Sequence, residues 1–148
     1  MAALIRPIEQ RDLRAASLVV QGGANFPDEE HEDDVEAYWS AVTETRARRG
    51  EVLVADLDGE VVGVIQVIVF QHFQHTGGWC AELESVHVRE DQRSAGIGGE
   101  LLAAAEDVAR RAGCYRVQLT SRKFRVDAHR FYLAHGFEAT SEGFKKLL

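Results

Sequence analysis

The sequence predicts a mixed α/β fold, in which an antiparallel sheet takes on a later strand–helix–strand unit. Three observations carry that expectation. Two β-rich runs, residues 51–57 and 60–70, are joined by Asp58-Gly59, a dipeptide suited to a tight hairpin. A third run, Trp79–Val88, passes through a glycine-rich turn into a helical pattern. A strand, a helix and a further strand then follow. That order favours a mixed sheet over an all-parallel one.

The elements follow in chain order. Residues 4–8 read as a short first strand. Asp12 opens an amphipathic helix carrying Leu13, Ala16, Leu18 and Val19, which Gly22-Gly23-Ala24-Asn25-Phe26-Pro27 is expected to break. A second helix is expected over residues 33–49, with Val35, Tyr38, Trp39, Val42 and Thr45 on or near one stripe. Acidic residues precede it, and Arg46, Arg48 and Arg49 end it, as the macrodipole prefers. After the hairpin, Gln71-His72-Phe73-Gln74-His75-Thr76-Gly77-Gly78 reads as a loop. A helix beginning near Gly98 shows Leu101, Ala105, Val108 and Ala112 on one face, and Gly113 is a natural stop. A strand over 115–120, a helix over 126–135 ended by Gly136, and two closing strands over 137–140 and 144–148 complete the expectation.

The 148 residues suit one domain spanning the chain, with no repeat, linker or low-complexity tract. Apolar residues make up 45%, enough for a core. No run approaches the roughly 20 apolar residues of a membrane span, and the first residues lack a signal peptide's apolar stretch. A cytoplasmic protein without membrane contact is expected. Two cysteines, Cys80 and Cys114, make no disulfide framework, and no CxxC or clustered His–Cys spacing suggests a metal. The net charge is −7, but six acids lie in Asp28-Glu29-Glu30-His31-Glu32-Asp33-Asp34; removing them leaves 17 basic against 18 acidic residues. The acidity is therefore local. A general nucleic-acid binder would need a basic surface instead. The acidic run reads either as a solvated loop and helix start or as an attractive rim for a cation.

Val86-His87-Val88 ends a strand, and Arg93-Ser94-Ala95-Gly96-Ile97-Gly98-Gly99 leads into a helix. Such a turn aims free backbone N–H groups at an anion, and glycines let the backbone approach it closely. Arg93 adds positive charge. A plain tight turn is the alternative. The Gly-Lys-Ser/Thr of a Walker loop is absent, and Gly96-Ile97-Gly98-Gly99-Glu100-Leu101 does not fit a dinucleotide fingerprint.

Arg93-Ser94-Ala95-Gly96-Ile97-Gly98 resembles the Arg/Gln-x-x-Gly-x-Gly/Ala signature of the GCN5-related N-acetyltransferases (GNAT). A second block, Ala128-His129-Arg130-Phe131-Tyr132-Leu133-Ala134-His135-Gly136-Phe137, resembles that family's closing helix and the strand after it. The likeness covers nearly the whole chain in element order. It implies a predominantly antiparallel sheet with splayed central strands and about four helices. It also implies acetyl-CoA as cosubstrate, without a metal. Pantetheine would pair with backbone around Val86, His87 and Val88. The pyrophosphate would lie on Arg93, Ser94, Ala95, Gly96, Ile97, Gly98 and Gly99. Ser94 stands where many members have Gly. Arg125 stands near a frequent Asn that touches the cofactor arm, and Ser121 is the substitute considered.

An alkyl amine has a pKa of about 10.4, so making it neutral at pH 7 costs roughly 4–5 kcal/mol. A carboxylate can take that proton. Glu82 and Glu84 share one face of their strand, with Leu83 and Ser85 opposite. The resemblance favours Glu82, then Glu84, as the base; cross-strand surface pairs are the competing reading for each. Tyr132 matches the family's Tyr that protonates or hydrogen-bonds the departing sulfur, and a core Tyr is its alternative. His72 and His75 line a pocket or act as a base, or are a solvent-exposed pair. Trp39 and Trp79 wall a pocket or anchor the core.

Family members usually build the acceptor site from the segment between the first two helices and the loop before the fourth strand, here residues 22–34 and 71–79. The acidic run in the first suggests a small cationic amine: a polyamine, an aminoglycoside-like amine or an aminoalkyl compound. A peptide or protein N-acetyltransferase is an alternative. So are a non-catalytic acyl-CoA-binding sensor and an unrelated nucleotide-binding domain. The resemblance also implies frequent homodimerisation.

Overall fold

A computed structural model describes residues 2–148. They divide into two units, the first ending at Gln118 and the second running from Leu119 to Leu148. The first unit is built on a five-stranded sheet in the order β1-β2-β3-β4-β5: β1 (Leu4–Pro7), β2 (Glu51–Leu57), β3 (Glu60–Gln71), β4 (Trp79–Val88) and β5 (Cys114–Gln118). The first four strands pair antiparallel, and β5 joins β4 in parallel. This is the mixed sheet the element order predicts. Asp58 and Gly59 both take positive φ at the β2–β3 turn, as a two-residue hairpin demands.

Helices cover both faces. On one lie α1 (Leu13–Gly23) and α2 (Val35–Ala47). Leu13, Ala16 and Val19 of α1 and Val42 of α2 pack into a buried cluster with Val52, Val54, Val61 and Val64 of the sheet. Each such Leu or Val side chain contributes roughly 1.5–3 kcal/mol when fully buried. On the other face lies α4 (Ile97–Arg111), which buries Ile97, Leu101, Leu102, Ala105, Val108 and Ala109. Here a glycine is required by space: a Cβ on Gly63 of β3 would stand 2.9 Å from a Leu101 methyl. The connection α3 (Gln74–Gly77) is a single turn, with His75 and Thr76 in left-handed conformations. Helix α1 runs through Gly23 rather than breaking at Gly22, because neither glycine there takes a positive φ.

The second unit contains α5 (Val126–Ala134), followed by Gly136 at φ 90°. The closing strands expected over residues 137–140 and 144–148 are not formed. Apolar spacing licenses a strand but does not supply a partner, and this unit holds no other strand to pair with. Phe144, Leu147 and Leu148 are accordingly exposed. Strand β5 also ends at Gln118, short of the expected 120. Among the described residues, no helix is long and apolar enough to cross a membrane.

Candidate functional site

The site begins where β4 loses a neighbour. The parallel ladder runs from Trp79 opposite Cys114 to Glu82 opposite Gln118 and stops there. On its other side β4 stays paired to β3 as far as Val88 opposite Gly63. From Leu83 to Val88, then, one edge of β4 presents backbone N–H and C=O groups without β5. Such groups need partners, and an extended ligand with amides can supply them.

Within this stretch β4 carries a bulge. Glu84 pairs with Gln66 and His87 with Val64, so two β4 residues oppose one on β3; Ser85 takes a left-handed φ of 53°. Directly opposed residues share a sheet face. Glu82, Glu84 and, after the bulge, His87 therefore all lie on the face covered by α1 and α2. Gln66 confirms that face by donating from Nε2 to Thr45 Oγ1 of α2 at 2.9 Å. Val86 and Val88 lie on the opposite face. Glu82 is half-buried and Glu84 exposed. Without the bulge His87 would fall on the face of Leu83.

The loop leaving β4 is fixed by arginines. Arg89 donates its backbone N–H to Val62 O at 2.7 Å, while its side chain bridges Glu60 and Asp91. Arg93 donates from Nε to Val88 O at 3.1 Å. Ser94 takes φ 67°, and Gly96, at φ 85°, is the N-cap of α4 with no side-chain cap. The Gly96 carbonyl accepts from Glu100 N, so the helix is fully started, yet its first-turn N–H groups have no capping side chain. This is a strand, turn and helix N-terminus of the kind that holds an anion.

The acidic segment lies between α1 and α2. Tyr38 donates its hydroxyl to Glu30 at 2.6 Å and accepts from His31 N at 3.1 Å. Burial first, and Glu30 next, push the Tyr38 phenol up to about 12, so it stays a donor. Arg14 of α1 pairs with Asp33 at 3.2 Å. Asp34 caps α2 by accepting from Ala37 N. Asp28 and Glu29 are exposed.

A family model for the acetyltransferase (GNAT) family matches residues 9–137. The chain belongs to the GNAT family. It is an acyltransferase of that type. An aminoalkylphosphonate N-acetyltransferase from Salmonella typhimurium is 40% identical over 91 residues, which is 62% of this chain and 58% of that protein. An aminoglycoside N(6′)-acetyltransferase type 1 from Klebsiella aerogenes is 28% identical over 144 residues, covering 94% of this chain and 91% of that one. Among solved structures, one described as a transcriptional regulator from Bacillus halodurans C-125 superposes with a TM-score of 0.89 at 31% identity, over 99% of both chains. AAC(6′)-Iy, in complex with the bisubstrate analogue CoA-S-monomethyl-acetylneamine, shares the fold with a TM-score of 0.81 at 18% identity, over 100% of this chain and 99% of that one.

Within this GNAT chain the expected residues fall into three places. Glu82 is the last β4 residue paired to β5, Glu84, Val86, His87 and Val88 lie along the stretch that β5 leaves, and Arg93 to Gly99 follow directly. Tyr132 and Ser121 belong to the second unit. Tyr132 is half-buried there, its ring 5.7 Å from that of Phe137 and 5.3 Å from that of Phe131. The Ser121 hydroxyl is buried without a hydrogen-bond partner. His72 and His75 stand at the other end of β4, before Trp79. His72 Nδ1 lies 2.8 Å from the Tyr115 hydroxyl, and the three rings pack together. Desolvation first, then Arg116 and His75, push the His72 imidazole below its ordinary value. Cys80 is buried, and its thiol reaches Gln118 Oε1 at 3.5 Å. Among the described residues, no group of three or more His, Cys, Asp or Glu is placed to hold a metal.

Sequence reasoning missed the bulge and the Tyr38–Glu30 bond. The bulge rests on a serine in a left-handed conformation, where no glycine or proline signals the kink. The Tyr38–Glu30 bond spans eight residues, beyond helical spacing.

Proposed function

We propose that this chain transfers an acetyl group from acetyl-CoA to a primary amine, as a single functional domain over residues 1–148. The observation that carries the reading is the half of β4 from Leu83 to Val88, open on its β5 side and followed at once by the uncapped N-terminus of α4. The residues present fit acetyl-CoA: backbone of Val86, His87 and Val88 for the amides of the arm, and N–H groups from Arg93 to Gly99 for the pyrophosphate. Ser121 is assigned to the cofactor arm from the resemblance alone. Acetyl-CoA supplies an acetyl group already activated as a thioester.

The chain's own residues supply the rest. A Glu82 carboxylate oxygen takes the proton an ammonium must lose, directly or through water, with Glu84 as the second candidate. Backbone N–H groups on the open edge polarise a carbonyl oxygen. The Tyr132 hydroxyl holds the proton destined for sulfur; this role is assigned from its place in the motif.

For the acceptor we propose a small cation. The α1–α2 layer faces Glu82 and Glu84, and its connection carries the acidic segment. The N-acetyltransferase relatives act on amines of two kinds, and the carboxylates of residues 28–34 favour a polycation such as an aminoglycoside over a phosphonate. The test is CoA-thiol release from acetyl-CoA with neamine, spermidine, 2-aminoethylphosphonate and a lysine peptide. Turnover fastest with the first two is expected. Turnover of only the phosphonate would refute the cationic acceptor; tight acetyl-CoA binding without thiol release on any amine would point to a sensor.

A further inference from the structure

The imidazole of His87 rests on the last residue of α1. A Cβ placed on Gly23 would collide with His87 Nδ1 and come within 3.1 Å of Cε1. Gly23 is helical and its φ is not positive, so backbone conformation does not ask for glycine there. Glycine is a poorer helix residue than alanine. The space it leaves is filled by the imidazole. The bulge at Ser85 is what turns His87 to this face, beside Glu82 and Glu84.

Residues 24–34 leave α1 immediately after that contact. They form a braced segment: Gln21 Nε2 donates to Pro27 O at 3.5 Å, Tyr38 holds Glu30, and Arg14 holds Asp33. A braced segment moves with the helix that launches it. The contact with His87 therefore sets where the acidic segment starts relative to the two glutamates of the same strand.

We propose that His87 is a positioning residue for the amine substrate, acting through Gly23 on the segment 24–34. The proposal rests on the transferase reading above. A histidine that merely fills a gap in packing would affect stability and both substrates alike; the contact described here predicts a selective effect on the amine.

The experiment measures initial rates with acetyl-CoA and neamine for wild type, His87→Ala, Gly23→Ala, the double variant and His87→Phe. A misplaced substrate can cost up to about 100-fold, so each alanine variant is expected to raise the KM for neamine by ten- to a hundredfold. The KM for acetyl-CoA should rise less than the KM for neamine, because only the backbone of His87 is assigned to the cofactor arm. Gly23→Ala crowds the imidazole and His87→Ala vacates that space, so the double variant should be no worse than His87→Ala alone. His87→Phe, which keeps a ring against Gly23, should recover most of the loss. The proposal is overturned if His87→Ala lowers only the melting temperature, if both KM values rise together, or if the single effects multiply in the double variant. Absence of turnover by the wild type on every amine of the panel overturns the transferase reading instead, and this proposal with it.

Discussion

Gly96 and Gly113 bracket α4 and form a matched pair. Their φ values are 85° and 83°, and neither would bring a new Cβ within 4 Å of any neighbour. Replacing either by alanine therefore adds no clash, only the cost of a left-handed L-residue, roughly 1–2 kcal/mol. For a chain of about 150 residues, 1 kcal/mol lowers the melting temperature by roughly 2–4 °C, so each variant should lose about 2–8 °C. The ligand effects should separate them. Gly96 caps the helix end assigned to pyrophosphate, and Gly113 follows the other end. Relaxation of the strained residue 96 would rotate the first-turn N–H groups, raising the KM for acetyl-CoA about tenfold; Gly113→Ala should leave it unchanged. Circular dichroism melts and a thiol-release assay measure the two effects. If the two variants shift acetyl-CoA KM equally, or if Gly96→Ala loses stability with no change in KM, the anion assignment at this turn is wrong.

Other expectations concern charge and strain. Arg6 makes a two-pronged contact with Asp12 at 2.7 and 3.0 Å and also reaches Asp56. The hydrogen bonds from Arg6 hold both carboxyls below the usual range. Between those lowered values and about 4, the unfolded chain binds more protons than the folded one. This contribution is therefore full above about pH 4 and is lost as pH falls through the folded values. Arg6→Ala should lower stability at pH 7 in urea unfolding and flatten the acid dependence; an unchanged slope would rule out this linkage. Ser94→Gly removes a left-handed serine but frees the unfolded chain, for a net gain of about 0.5 kcal/mol. A drop in melting temperature would show that the hydroxyl matters. Glu82→Gln should lower kcat by about 10²–10⁴, with Tyr132→Phe lowering kcat at unchanged amine KM. Wild-type kcat in Glu82→Gln would transfer the base to Glu84 or to another group.

The parts of the fold that follow from local chemistry were legible in the sequence. Asp58-Gly59 marked its hairpin, and β4 runs over the expected Trp79–Val88. The glycine-rich turn marked the start of α4 to within one residue. What escaped depends on partners distant in sequence. A strand over 144–148 needs a ladder, which side-chain spacing cannot guarantee. Gly22-Gly23 looked like a helix break because glycine usually serves conformation; here the reason for Gly23 lies in His87, 64 positions away. The segment 71–79 looked equivalent to 22–34 as an acceptor wall. Strand direction separates them: it brings His72 and His75 to Tyr115 at the start of β4, while 22–34 leaves α1 beside His87 at its far end.

Arg49 has a mechanical meaning. Its guanidinium lies 4.1 Å over the Trp79 ring and reaches the Ala112 carbonyl at 3.4 Å. One side chain thus clamps the start of β4 to the end of α4, just before β5 begins. β4 and β5 run side by side from Trp79 opposite Cys114 to Glu82 opposite Gln118, so the clamp holds the first rung of the ladder that precedes the open edge. Packing at Trp79 thus anchors the strand whose far end carries the candidate site.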